Sequence, residues 1–134
     1  MIVADTNVLI YLFLNGPRTE LALQLLEQEP QWLVPPLWRH EFHNVLVTHV
    51  QTARLTQAQA HQVWDQAVEF LGDSERHVNM DRVLELAVAN KVSSYDAQFL
   101  ALAEAHDAVC VSDDRALKIK APKGLVKNLE DMAA

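Results

Sequence analysis

The sequence predicts an α/β domain, a mainly parallel sheet of four to five strands flanked by helices on both faces. Three observations carry this expectation. Residues 1–4 and 108–111 are short apolar runs without polar alternation, the pattern of strands buried on both faces of a parallel sheet. The longer segments between them carry apolar residues at helical spacing. Strands that alternate with helices need crossover connections, and these give parallel pairing. At 134 residues the chain has the length of one domain, read as 1–134. Folding at this length buries roughly two-thirds of the unfolded surface, enough for one core.

After the first strand, Asp5-Thr6-Asn7 leads into the apolar run 8–14, expected as a buried helix and broken by Gly16-Pro17. Leu21, Ala22, Leu25 and Leu26 mark a second helix, and 32–34 reads as a second strand. Pro35-Pro36 opens a third helix, because a first-turn proline lacks only an N–H that has no helical partner. Its stripe is Trp38, Phe42, Val45 and Leu46, then His49. Thr56 and Gln59 form a capping-box pattern ahead of Ala60, Val63, Trp64, Ala67, Val68 and Leu71. Gly72-Asp73-Ser74 ends that helix, and 76–78 is expected as a minor strand. Helices over 80–90 and 94–107 precede the apolar strand 108–111. Asp113 and Asp114 open a short helix through Leu117 and Ile119. Pro122 and Gly124 then turn the chain into a last strand, 125–127.

Composition narrows the function classes. Half of the residues are apolar and only three are Gly, which excludes a disordered or low-complexity chain. A net charge of −7 runs against nucleic-acid binding, which ordinarily leaves a basic footprint because Lys and Arg displace counterions from phosphates. Charge alone favours an acidic protein that never meets nucleic acid, so any such contact has to be local or carried by a metal. The single cysteine, Cys110, excludes an intramolecular disulfide and a cysteine-rich zinc site, and it reads as a buried strand residue. Asp5 interrupts the first apolar stretch and no basic lead-in precedes it, so no secretory signal is expected. The 8–14 run is too short to span a bilayer. The expected location is the cytoplasm, with no membrane partner.

Four acids are candidates for chemistry: Asp5, Glu41, Asp96 and Asp114. Asp5 and Asp114 each follow a buried strand. Open parallel sheets bind ligands beyond the carboxyl ends of their strands, where the winding reverses, so the two would face one crevice. Asp5 or Asp113 serves equally well as a plain helix cap. Asp96 fits the acidic end of a capping box, Ser93-Ser94-Tyr95-Asp96. On a helical wheel, however, it falls among Phe99, Leu100 and Ala103, where a carboxylate loses hydration unless a partner or metal compensates. Glu41 sits at the edge of its stripe, an ordinary boundary position on local evidence, with Asn44 at i+3 to orient it.

His40-Glu41-Phe42-His43 is not the zinc motif His-Glu-x-x-His, because Asn44 stands where the second histidine belongs. His40, His43 and His49 read as surface or structural residues, with Arg39 and His40 as candidate contacts to a substrate phosphate. There is no phosphate-cradling Gly-rich loop, and Ser112 has no evident histidine base. Oxygen ligands without thiolate suit a hard divalent cation, Mg²⁺ or Mn²⁺. Such an ion activates a bound water, polarises a phosphoryl oxygen and inverts the local potential of an acidic protein.

Four motifs in this order resemble the PIN domain family, and more narrowly the VapC-type toxins of bacterial toxin–antitoxin pairs. They are Asp5-Thr6-Asn7, Glu41 in the helix after Pro36, Ser94-Tyr95-Asp96-Ala97, and Val111-Ser112-Asp113-Asp114. Each is weak singly; their order and spacing over essentially the whole chain are specific. The resemblance implies a three-layer PIN-like fold and a metal-dependent endoribonuclease using Mg²⁺ or Mn²⁺. It carries catalytic and metal-binding roles onto Asp5, Glu41, Asp96 and Asp114, and supporting roles onto Thr6, Asn7, Ser112 and Asp113. The family's usual Thr-x-Asp becomes Ser112-Asp113-Asp114 here, which keeps the hydroxyl but leaves Asp113 and Asp114 as rivals for the fourth acid, Asp114 being preferred. It further implies an RNA substrate, a homodimer and a cognate antitoxin whose peptide occupies the active-site groove. The expected hydrolysis is in-line attack by an activated water, leaving 5′-phosphate and 3′-hydroxyl ends. Two alternatives stand beside it. A haloacid-dehalogenase-like phosphatase also begins with a strand and Asp but wants a second acid where Asn7 stands. A PIN-like scaffold would bind RNA or protein without cutting, which intact acidic positions argue against.

Overall fold

The computed structural model describes residues 1–133. Ala134, the last position of the expected unit, lies outside the described residues. The sheet has four strands, all parallel: β1 (Ile2–Ala4), β2 (Trp32–Leu33), β3 (Val109–Val111) and β4 (Val126–Lys127), in the order β2-β1-β3-β4. The two apolar runs on which the expected sheet rests, β1 and β3, are its central pair, and the edge strand β2 is buried on both faces as well. Their register sets Ile2 beside Val109 and Ala4 beside Val111. Asp5 N–H continues the ladder to the Val111 carbonyl at 3.0 Å, so Asp5 and Ser112 leave the sheet side by side.

Successive strand side chains point to opposite faces, and each face builds its own core. Ile2, Ala4, Trp32, Val34 and Val111 pack with residues such as Leu9, Leu25 and Phe42. These come from α1 (Thr6–Phe13), α2 (Thr19–Gln28) and α3 (Trp38–Gln51), joined there by α4 (Gln57–Leu71) through Ala67 and Leu71. Val3, Leu33, Cys110 and Val126 face the other way. They meet α5 (Met80–Asn90), α6 (Ser94–Ala105) and α7 (Arg115–Lys120) through Leu86, Leu100 and Leu117. Cys110 is buried, as its strand context predicts. Among the described residues, no helix is long and apolar enough to cross a membrane.

The structure departs from the expectation in three places. Residues 76–78 form no strand: the only pairing is a single parallel bridge between Val34 and Glu75. The Arg76 guanidinium bonds back to the carbonyls of Asp73 and Glu75, and 76–78 continue without regular structure. The helix expected over 94–107 stops at Ala105, and Asp107 takes a left-handed φ of 52° that leads into β3. A last short helix, α8 (Leu129–Ala133), has no signal in its five residues, and its Leu129 inserts into the first core.

The Thr56 capping box forms in both directions, with Gln59 N–H to Thr56 Oγ1 at 3.1 Å and Thr56 N–H to Gln59 Oε1 at 2.9 Å. It lies on an exposed helix start away from the acids. Thr56→Ala should therefore lower the unfolding free energy by about 1 kcal/mol in urea titrations and leave metal binding unchanged.

Candidate active site

Asp5 both caps a helix and faces a neighbour. Its Oδ1 accepts from Thr6 N–H at 2.8 Å, which is the α1 N-cap. Its Oδ2 turns to the next strand and accepts from the Ser112 hydroxyl at 2.6 Å and the Asn7 amide at 3.4 Å. Asn7 also donates to Ser112 Oγ at 3.2 Å and accepts from Asp113 N–H at 3.3 Å, linking the start of α1 to the end of β3. Asp5 is only 7% exposed. Burial pushes its carboxyl up to about 6; the Ser112 and Thr6 bonds pull the other way, and the charges of Glu41 and Asp96 push further.

Glu41 lies in the first turn of α3, and its Oε1 accepts from the Thr6 hydroxyl at 2.7 Å. Burial raises its pKa, the Thr6 bond opposes this, and the Asp96 charge adds to it. Asp96 occupies the first turn of α6, where its N–H donates to Ser93 Oγ at 3.0 Å. Burial raises Asp96 as well, followed by the charge of Asp114, while Ser93 and Lys120 pull it down. Asp96 does not sit on the apolar stripe that its helical wheel predicts. α6 is buried on nearly every side from Ala97 to Ala103, so it has no single apolar face for the acid to share. Asp96 faces the cluster because the helix starts there.

Asp114 caps α7, accepting from Leu117 N–H at 3.1 Å, while its own N–H donates to Ser112 Oγ at 3.1 Å. Asp113 is directed elsewhere. Its Oδ2 pairs with Arg18 at 2.7 Å and its Oδ1 accepts from Leu129 N–H at 3.0 Å. Arg18 also holds Glu130 at 2.9 Å and lies over the Tyr11 ring, 5.5 Å from its centroid. Sequence reasoning missed Arg18, because nothing near Gly16-Pro17 signals a partner so far along the chain. Asp114→Asn should weaken Mn²⁺ binding by at least about tenfold, the scale on which even a supporting group is felt. Asp113→Asn should lower stability and change Mn²⁺ affinity much less; calorimetric titration of both variants decides between the two acids.

Arg39 and His40 directly precede Glu41 on α3. Arg39 is ion-paired with Glu75, which also accepts from Trp38 Nε1 at 2.6 Å, and its guanidinium sits 5.5 Å from the Trp38 ring centroid. His40 is exposed and, with Arg39, His43, Asn44, Val47 and Trp64, lines a groove of about 410 Å³. An apolar groove of about 240 Å³ runs between α3 and α4, lined by His43, Leu46, Val50 and Trp64 but by none of the four acids. His43 packs edge-on against Trp64, and His49 bonds the Val45 carbonyl at 2.9 Å, so both imidazoles are held by their own surroundings.

Asp5, Glu41, Asp96 and Asp114 thus come from four elements and act on one another's charge beyond the carboxyl ends of β1 and β3. Among the described residues, no three His, Cys, Asp or Glu side chains are drawn close enough to grip an ion as they stand. The donor chemistry nevertheless fits a hard divalent cation: every group is a carboxylate or hydroxyl oxygen, and burial and neighbouring carboxylates raise Asp5, Glu41 and Asp96, a cost that a cation would relieve.

An all-parallel sheet with helices on both faces and acids beyond its central strands defines the class, and the family model agrees with it. The PIN domain model matches residues 2–122, and the chain belongs to the PIN domain family. PIN domains are generally nucleases, and those nucleases generally use divalent metal ions. Among solved structures the chain is similar to PAE2754 from Pyrobaculum aerophilum, with TM-score 0.77 and 22% identity over 98% of this chain and 85% of that one. It is also similar to FitAcB from Neisseria gonorrhoeae, with TM-score 0.68 and 16% identity over 97% of this chain and 99% of that one. At these identities the likeness shows the fold. No curated protein matches the chain.

Proposed function

We propose that this PIN domain is a Mg²⁺- or Mn²⁺-dependent endoribonuclease that hydrolyses RNA phosphodiester bonds, and that it is the toxin of a type II toxin–antitoxin pair. The observation that carries the reading is the shared electrostatic field of four acids beyond the central strands. Asp5, Glu41, Asp96 and Asp114 would hold the cation. When bound, it supplies a more acidic water and a polarised phosphoryl oxygen. Ser112 and Asn7 fix the second oxygen of Asp5, Thr6 fixes Glu41, and the α7 N-terminus holds Asp114. Hydroxyls and an amide in these roles set the acids' orientations without neutralising them. The motif resemblance to VapC-type toxins supports the narrower reading. With it come a single unit over 1–134, a homodimer, a cytoplasmic location and a cognate antitoxin, encoded by a short neighbouring reading frame.

The test is incubation of the purified protein with total RNA in Mg²⁺, Mn²⁺ or chelator, followed by capture of the new ends. Cutting that needs metal and leaves 5′-phosphates supports the nuclease. RNA binding without cutting under every metal condition would establish the scaffold instead.

A further inference from the structure

The net charge of −7 conceals a local exception. Arg115, Lys118, Lys120, Lys123 and Lys127 are five of the eleven basic residues, and no acid interrupts the segment they occupy. All five are exposed, on α7, the following turn and β4. Lys118 is tied to Asp131 at 2.8 Å. Among the described residues the other four enter no ion pair, whereas Arg18, Arg39 and Arg82 are each held by a carboxylate. Of the seven basic residues outside these ion pairs, four thus fall in this one segment; Arg54, Arg76 and Lys91 are scattered elsewhere along the chain.

Topology decides which of these charges reach the site. Arg115 follows Asp114 directly, at the carboxyl end of β3 where α7 begins. Lys120 ends α7, within charge reach of Asp96. Lys127 ends β4, and its carbonyl accepts from Ser112 N–H at 3.0 Å, which puts it at the same end of the sheet as the acids. Lys123 belongs to the turn that enters β4, at the amino end of the strands. Tyr95, in the first turn of α6 beside Asp96, is 61% exposed despite being aromatic.

We propose that Arg115, Lys120 and Lys127, with Tyr95 as a stacking platform, form the track on which single-stranded RNA approaches the acid cluster. Single strands are held by a cationic row that follows the phosphates and by aromatic faces on which bases stack. A row locked in ion pairs could not do this; among the described residues Arg115, Lys120 and Lys127 form none, although Asp96 and Asp131 lie within charge reach of Lys120 and Lys127. An acidic protein segment would meet the same cations but has no bases to lay on Tyr95. The track rests on the nuclease reading for the identity of the strand, but it is tested by binding alone.

The probe is a fluorescein-labelled oligouridine of about twelve nucleotides, titrated with the full chain in chelator over a range of salt and read by anisotropy. Combined Arg115→Gln, Lys120→Gln and Lys127→Gln should weaken binding at least about tenfold and reduce the slope of log affinity against log salt by about 2. Tyr95→Ala should weaken it about fivefold or more with the salt slope kept, and Lys123→Gln should bind as the natural chain does. Melting curves confirm that each variant is folded. No binding by the natural chain overturns the track, as does an unchanged triple variant or an equal loss in Lys123→Gln, which would show only net charge. A glutamate-rich peptide that needs these residues while the oligouridine does not bind assigns the surface to a protein segment and also overturns it. Binding that depends on the track, in a chain that never cuts RNA with either metal, leaves the track standing and removes the nuclease reading.

Discussion

Asp5→Asn should reduce metal-dependent RNA cleavage by about 10² to 10³, the scale on which loss of one electrostatic element of an active site is felt, and yet stabilise the metal-free protein at neutral pH. The carboxyl of Asp5 is raised from 3.8 to about 6, chiefly by burial. A raised acid binds more protons in the folded state than in the unfolded one. Its contribution to stability is therefore complete below the unfolded value and disappears as pH rises through about 6. At pH 7 and above, the charged Asp5 then costs the fold about 3 kcal/mol relative to its protonated form. Asparagine carries no charge and still caps α1 through its carbonyl, but its amide cannot accept from Ser112 and Asn7. That loss offsets about 1 kcal/mol of the gain. In chelator, urea titrations should show the variant ahead by about 1–2 kcal/mol at pH 7.5, with the advantage fading by pH 5. A variant that is less stable at pH 7.5 would mean that the bonds from Ser112 and Asn7 outweigh the cost of burying the charge.

The fold was legible from sequence because its physics is local and periodic. Unbroken apolar strands mark a sheet buried on both faces, and apolar stripes mark the helices that cover it. The failures fall where structure depends on distant partners. α8 exists because Leu129 finds a place in the core and Asp113 accepts its N–H. The 76–78 strand fails because the chain turns away after one bridge, which no composition signals. At the site, Asp5, Glu41, Asp96 and Asp114 were nameable as acids at element starts. The order β2-β1-β3-β4, which makes β1 and β3 neighbours and thereby brings Asp5 to Ser112, was not. Nor does any local signal announce Arg18, whose ion pair engages the Asp113 carboxylate.

Adding Mg²⁺ or Mn²⁺ should raise the melting temperature of the natural chain, and Asp96→Asn should abolish that response. An ion that binds only the folded state at about a hundred times its dissociation constant stabilises by about 3 kcal/mol, which for a chain of this length moves the melting temperature by roughly 10 °C. Asp96 is informative because its two explanations predict opposite results. As a helix-start residue it donates its backbone N–H to Ser93, a bond that asparagine keeps. As a member of the cluster, it is raised by burial and by the charge of Asp114, and its own charge raises Asp5 and Glu41. The stability gained by protonating such a group is lost as pH climbs through its raised pKa, so the natural chain carries the repulsion at neutral pH and asparagine removes it. Metal-free Asp96→Asn should accordingly be as stable as the natural chain or more so, and indifferent to the ion. If Asp96 serves only the helix start, through its negative charge in the first turn of α6, the variant loses up to about 1 kcal/mol without metal and keeps the whole thermal shift with it. Melting curves of both chains in chelator and in saturating Mn²⁺ separate the two outcomes.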